Sequence, residues 1–319
     1  MIRLVRTELI RYVAHRTILL LLVLAALSAV AVASISAWES RPPSAAELAT
    51  ARAQAELDQN SEDVTQDSKA QLAKCLADPE TTLGLGADQG DCEASFGTSV
   101  ADYLPREPLN LTGTLKGNGL GLALLVAGLL IIAASSFVGR DVTSGSLANQ
   151  VLFAPGRGRL WAAKAIAVTT WSLLVSAVSL GGFWLAMYLV AADRDVAHGS
   201  AVVDDIVWHT VRAVAFCALA ALGAYALTMM FRNAFATLAL LFAYSVGGEL
   251  VLALLPVDRL ARWALGNNVF GWLETRLTYF GGDSEGREHL SHLGAGLYLL
   301  VLLLVAVAGS VAVFRRRDL

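Results

Sequence analysis

Charge is what this chain has little of: Asp, Glu, Lys and Arg make up 16% of its 319 residues, where soluble domains carry about 25%. That shortage excludes an ordinary water-soluble fold. It equally excludes a disordered chain, which combines many charges with few large apolar groups. Proline is sparse at 7 residues and the 27 glycines follow no three-residue period, so collagenous and low-complexity readings fall away. Three cysteines are too few for a disulfide scaffold of this length. No Gly-x-x-x-x-Gly-Lys-Ser/Thr run occurs, so the usual loop for cradling nucleotide phosphates is missing. A formal net charge of -3 without a long basic stripe gives no footprint for a nucleic-acid partner.

What is plentiful is apolar: 56% of the residues are hydrophobic and the mean hydropathy is +0.58. These residues are gathered into long runs. Six runs reach the length of about 20 residues that a hydrocarbon core of about 30 Å demands: Thr17–Ala37, Asn118–Val138, Ala165–Ala192, Ile206–Phe231, Ala234–Leu255 and Leu293–Phe314. In lipid each must be helical, because an open sheet would leave backbone groups unpaired. The predicted fold class is an all-α polytopic membrane protein with six transmembrane helices.

Short cytoplasmic loops retain Lys and Arg. With the N-terminus inside, one side collects Arg3, Arg6, Arg11, Arg16, Arg140, Arg157, Arg159, Lys164, Arg232 and Arg315–Arg317, against the acids Glu8, Asp141 and Asp318. The expectation is a multi-pass protein of the cell (inner or plasma) membrane with both termini cytoplasmic and residues 315–319 as a tail. A rival reading of the start is a cleaved signal peptide ending near Ala31-Val32-Ala33, but the basic region is long for one and cleavage would leave five spans. Residues 1–16 alternate Ile2, Val5, Leu9, Tyr12 and Val13 with Arg3, Arg6 and Arg11. They read either as a helix lying on the inner surface or as a topogenic charge cluster.

Residues 38–117 differ in composition, with acidic residues outnumbering basic ones by more than two to one. They form a small extracytoplasmic domain in this topology. Pro42-Pro43-Ser44 followed by Glu47 has the form of a proline stop and a capping box, which predicts a helix over 45–60. A second helix over 68–77 and turns at Gly84, Gly86, Gly90 and Gly97 follow. Cys75 and Cys92 lie on the side where disulfides persist. Closing that loop of about 17 residues contributes roughly 3 kcal/mol; two unrelated thiols are the alternative. Cys217 falls within the fourth span and reads as packing. Residues 256–292 carry Trp263, Phe270, Trp272, Tyr279 and Phe280, aromatics that favour the membrane–water boundary, and are predicted to lie in the outer leaflet as short amphipathic helices.

Few motifs carry chemistry. Gly282-Asp283-Ser284-Glu285-Gly286 fits the letters of a nucleophile elbow, which needs a strand before it and a helix after it; a polar turn is the better reading. His289 and His292 have the i, i+3 spacing of a metal pair, but no third ligand is indicated and no metal site is assigned. No catalytic residue is assigned either. Arg212 and Glu249 sit about six residues in from the outer ends of spans four and five, which places both roughly 9 Å deep. Charges at that depth must pair or face a polar cavity, so an Arg212–Glu249 ion pair is expected, as a brace or as a gate. Snorkelling of Arg212 to the surface is the third reading.

Residues 139–164 join spans two and three. Thr143 or Ser144 can cap a short helix that presents Leu147, Val151 and Phe153 and ends at Pro155. Asp141, Gly145, Ser146, Leu147, Leu152, Pro155, Arg159 and Lys164 form an acidic residue, a glycine with a hydroxyl residue, a leucine-rich turn, a proline and a basic cluster. This pattern resembles the permease subunits of ABC type-2 transporters. Those subunits more often carry Glu at the place of Asp141 and Thr at that of Ser146, and the domain at 38–117 is larger than in their simplest members. The layout of an inner-surface helix, six spans and outer helices before the last span is similar over the whole chain.

The resemblance implies a dimer with a second copy or a paralogue in the lipid bilayer. It also implies docking of Asp141, Thr143, Gly145, Ser146, Leu147, Leu152, Pro155 and Arg159 onto a separate ABC ATPase subunit that holds ATP and Mg, this chain itself holding no cofactor. By the same resemblance Gly119, Gly121 and Gly128 in span two and Phe242, Tyr244 and Gly247 in span five lie near the translocation path; close helix packing is the other reason for such glycines. The implied function is ATP-driven export of an amphipathic molecule, such as a lipid-like compound, a peptide or a drug. The alternative is a membrane sensor whose acidic outer domain binds a ligand without transport.

Overall fold

Long apolar runs in this chain become long helices; the computed structural model describes residues 1–59, 62–78, 82, 92, 103–106, 109–153, 156–196, 199–248, 250, 262–274, 277–280 and 287–316. The chain divides into two units, Ser36–Leu109 and the remainder, Met1–Ile35 with Asn110–Leu319.

In the larger unit, α1 spans Ile2–Ala14 and α2 Arg16–Glu39, separated by His15 in an extended conformation. Among the described residues five helices have the length and composition to cross a membrane: α2, Leu111–Thr143, Arg157–Asp193, Ser200–Phe231 and His292–Arg316. This is a multi-pass helical membrane protein. Their lengths of 24 to 37 residues correspond to about 36–55 Å, so each extends beyond the apolar core that the sequence marks out.

The first helix of the smaller unit, α3 (Ala45–Gln59), and the second, α4 (Glu62–Ala77), pack against each other. Ser44 and Glu47 form a reciprocal cap: the Ser44 N–H donates to Glu47 Oε2 at 2.7 Å and the Glu47 N–H to Ser44 Oγ at 3.3 Å. Cys75 and Cys92 are joined by a disulfide, both fully buried. Gly84, Gly86, Gly90 and Gly97 lie outside the described residues.

We number the remaining helices α5 (Leu111–Thr143), α6 (Ser146–Phe153), α7 (Arg157–Asp193), α8 (Ser200–Phe231), α9 (Ala234–Gly247), α10 (Leu265–Leu273) and α11 (His292–Arg316). Helix α8 is central and packs on α5, α7 and α11. Its buried stripe Ala213, Cys217, Ala218, Ala221, Ala224 and Tyr225 is mostly small, which lets backbones approach. The Cys217 thiol points to the Ala123 carbonyl, and the Tyr225 hydroxyl donates to the Trp161 carbonyl at 2.7 Å. Trp161 Nε1 in turn donates to Ser310 Oγ at 3.1 Å, tying α7 to α11.

The fifth expected span departs from a plain helix. Its described part is α9, at about 21 Å too short to cross alone, with Ala243–Gly247 wound as a π-helix; Leu250 is helical and residues 251–261 lie outside the described set. A second π segment, Leu115–Gly119, follows the first turn of α5. Residues 256–292 differ from the expected run of short helices: after α10 comes an antiparallel hairpin, β1 (Leu277–Phe280) and β2 (Arg287–Leu290), with Leu277 opposite Leu290 and Thr278 opposite His289. Thr278, Tyr279 and Phe280 are β-branched or aromatic and favour pairing over helix. His289 and His292 therefore belong to different elements and share no helix face, while Ser284 lies outside the described residues.

Candidate functional site at the basic end of the bundle

The N-terminus, the α5–α6 connection, the start of α7 and the end of α11 meet at one end of the bundle, which carries most of its arginines. Three buried ionic groups converge there. Lys164 on α7 is fully buried, and its Nζ donates to Glu8 Oε2 of α1 at 2.9 Å and to Asp141 Oδ2 at the end of α5. Arg11 completes the cluster, reaching Asp141 Oδ1 at 2.8 Å and Glu8 Oε1 at 3.0 Å. Two cations and two carboxylates balance, which is how charges persist away from water. Phe137 roofs the cluster, with Lys164 Nζ at 4.7 Å from its ring centroid and Tyr12 edge-on at 5.0 Å. Burial pushes the Tyr12 hydroxyl above its ordinary range. Trp171 Nε1 adds a hydrogen bond to the Leu9 carbonyl at 3.1 Å. Helix α1 is thus clamped to α5 and α7.

The short helix α6 hangs from the same cluster. Helix α5 stops where Gly145 takes φ +68°, a left-handed turn that glycine adopts without cost. Ser146 Oγ accepts from Arg11 at 3.3 Å and from Gln150 Nε2 at 2.8 Å. Leu147 turns inward and is buried, whereas Leu152 is 79% exposed. Thr143 and Ser144 do not cap α6: their hydroxyls donate back to the Arg140 carbonyl at 3.2 and 2.8 Å and so close α5 instead. Pro155 lies outside the described residues, and Arg159 is exposed on the first turn of α7.

Of this cluster the loop pattern singles out only Asp141, Ser146 and Lys164. Glu8 and Arg11 read from sequence as part of a charge count. The available signal is that Glu8 is the one acid in a basic amphipathic helix, three residues before Arg11, and Lys164 interrupts a run of small apolar residues.

His15, at the α1–α2 junction, is held below its usual pKa by burial and then by the neighbouring Arg140 guanidinium. It lines a cavity of about 390 Å³ together with Ile18, Arg140, Arg232, Asn233 and Phe235.

At the far end, Arg212 Nη1 lies 2.6 Å from His292 Nε2, and His292 Nδ1 is 2.9 Å from the Gly271 carbonyl. Trp272 Nε1 donates to the Arg212 carbonyl at 3.0 Å, and His209 Nδ1 meets the Leu273 carbonyl at 2.8 Å. These bonds dock α10 and the start of α11 onto α8. Glu249, the expected partner of Arg212, lies outside the described residues. Nearby, burial raises the pKa of Glu274.

The glycines divide. A Cβ on Gly119 would meet the Trp184 ring at 2.7 Å and one on Gly139 the Ala234 Cβ at 2.8 Å, so these two are close-packing glycines. Gly121, Gly128 and Gly247 would meet nothing within 4 Å. Phe242 and Tyr244 are also exposed, Tyr244 bonding the Tyr298 hydroxyl at 2.8 Å.

Among the described residues no group of three His, Cys, Asp or Glu is placed to hold a metal. No family model, no curated protein and no solved structure matches this chain.

Proposed function

We propose that this chain is the permease subunit of an ATP-binding-cassette transporter, exporting an amphipathic substrate with ATP and Mg held by a separate subunit, and with the basic end cytoplasmic. One observation carries the reading: α6 leaves Leu152 exposed while Ser146, accepting from Arg11, and Gln150, reaching Asp141, fasten it to the ionic cluster shared by α1, α5 and α7. A push on α6 would reach two long helices through charge-assisted bonds, the stiffest polar contacts available. Supporting it further, the exposed apolar faces of α2 (Leu20, Leu27, Val30) and the uncovered Gly121, Gly128 and Gly247 leave room for a second permease copy or a paralogue and for a path between them. Arg212 would then brace or gate that path.

The test is a pull-down of the detergent-solubilised chain with its neighbouring gene products, followed by ATPase and transport assays. Leu152→Asp is the informative variant, because an exposed side chain can change without disturbing the fold; Gly145→Trp would mix docking with backbone strain at positive φ. We expect a nucleotide-binding subunit to co-purify and to be lost with Leu152→Asp at unchanged Tm. Failure to recover one from wild type would overturn the reading. It would favour a sensor, for which the support is the acidic, disulfide-linked unit Ser36–Leu109.

A further inference from the structure

The cavity at the α2–α5–α9 junction has no role in the docking reading, and its chemistry is one-sided. Arg140, on the last turn of α5, and Arg232, which links α8 to α9 at φ +55°, both line it. Among the described residues neither guanidinium has a hydrogen-bond or ion-pair partner. The one carboxylate close by in sequence, Asp141, is already shared between Arg11 and Lys164. Asn233 spends its side-chain oxygen on the Phe235 and Ala236 N–H groups, capping α9 and leaving its amide NH₂ to the cavity. His15 Nε2 is shielded from water without a partner. Among the described residues no acidic side chain lines the space, and the Arg140 and Arg232 guanidiniums and the Asn233 amide are joined there by the hydroxyls of Thr17, Ser136 and Thr143.

We propose that this cavity binds the phosphate of an anionic phospholipid from the leaflet at the basic end. Two guanidiniums converge on one space and supply the forked donors that suit phosphate oxygens. The site sits where α5 ends and α9 begins, the depth of a headgroup. Its other wall is apolar: Ile18 is buried, and Phe235, 79% exposed, continues toward the hydrocarbon. A volume of about 390 Å³ lies at the low end for small-ligand sites, room for a phosphate and glycerol moiety with the acyl chains left outside along α2. Basic pockets between transmembrane helices hold anionic headgroups by the same physics. The inference does not depend on the permease reading and would stand in a sensor.

The test uses the full chain in neutral detergent, with native mass spectrometry after addition of phosphatidylglycerol or phosphatidylcholine. Wild type should retain phosphatidylglycerol about tenfold better, and Arg140→Gln/Arg232→Gln should lose that preference. Arg3→Gln/Arg6→Gln, which removes equal charge from the same end, should keep it. A second measurement leaves the arginines intact: Phe235→Cys, in a chain whose other free thiol, Cys217, is buried, should react with maleimide several-fold more slowly in phosphatidylglycerol nanodiscs than in phosphatidylcholine ones. Equal retention by the two double variants, or equal labelling in the two lipids, overturns the site. Protection by glycerol phosphate in detergent without any lipid preference overturns the lipid source and points to a soluble phosphorylated ligand.

Discussion

At the basic end two carboxylates and two cations share one buried cluster, whereas at the far end a single guanidinium, Arg212, meets ring nitrogens and carbonyls. The first arrangement is self-neutral and joins α1, α5 and α7 through three ion pairs, with a fourth inside α1 and a bond from Arg11 to Ser146 of α6. The second joins α8 to α10 and α11 through bonds in which no described carboxylate takes part, so no ion pair fixes it and it is easier to rearrange. A buried ion cluster contributes little net stability yet is costly to break, because each lost partner strands a charge. The basic end is therefore suited to transmit force as a rigid block, and the far end to move.

The sharpest way to break this contrast is Lys164→Met. It strands Glu8 and Asp141 with Arg11 as their remaining cation, and we expect a loss of about 3–5 kcal/mol, read as a large fall in Tm in detergent. Adding Glu8→Gln should recover a substantial part of that loss. If the single variant is near neutral, the cluster is not the rigid joint described. Arg212→Met tests the other side: removing guanidinium hydrogen bonds that involve no described carboxylate should cost about 1.5–3 kcal/mol at most. A loss as large as that of Lys164→Met would mean that Arg212 has a carboxylate partner, with Glu249 the first candidate, and a matching loss in Glu249→Gln would identify it.

Packing gives a smaller and cleaner comparison. Gly139→Leu drives a side chain into Ala234, where even a Cβ would approach to 2.8 Å, and should cost about 1–3 kcal/mol. Gly128→Leu meets open space in one copy of the chain and should change its stability by less than about 0.5 kcal/mol. If Gly128→Leu reduces transport or dimer formation at unchanged Tm, that face belongs to the path or to a second copy.

The long helices were legible because lipid imposes one rule over some twenty residues at a time. The apolar runs beginning at Thr17, Asn118, Ala165, Ile206 and Leu293 each became the centre of a helix. The disulfide was legible from two cysteines in one acidic segment. The hairpin after α10 was not, because four-residue strands give a weak period beside aromatic residues that also suit an interfacial helix. Glu8 and Arg11 were hidden for a different reason: the long-range partner of Glu8, Lys164 on α7, is 156 residues away in sequence and that of Arg11, Asp141 on α5, is 130 away, and no local pattern announces a long-range ionic contact. The same holds for the cavity, whose arginines look like topogenic charges until α5 and α9 bring them to one wall.

The smallest effect belongs to an ion pair that water reaches. Glu47 pairs with Arg106 and accepts hydrogen bonds from Ser44, and the Ser44 backbone N–H, the main cause, holds its carboxyl down at about 2. A carboxylate held below its ordinary value of 4.5 stabilises the folded state fully above that value and loses the contribution as pH falls toward 2. Hydrogen exchange across the first turn of α3 in the full chain should therefore be constant above about pH 5 and quicken relative to the rest of the smaller unit as pH drops through that window. Glu47→Gln should flatten this dependence, since an amide does not titrate. Salt should weaken the Arg106 contact while barely affecting Lys164, because screening acts on charges that water surrounds and not on those the helices enclose. Equal salt sensitivity at the two places would show that water enters the Glu8–Asp141–Lys164 cluster and would remove the distinction between a rigid end and a mobile one.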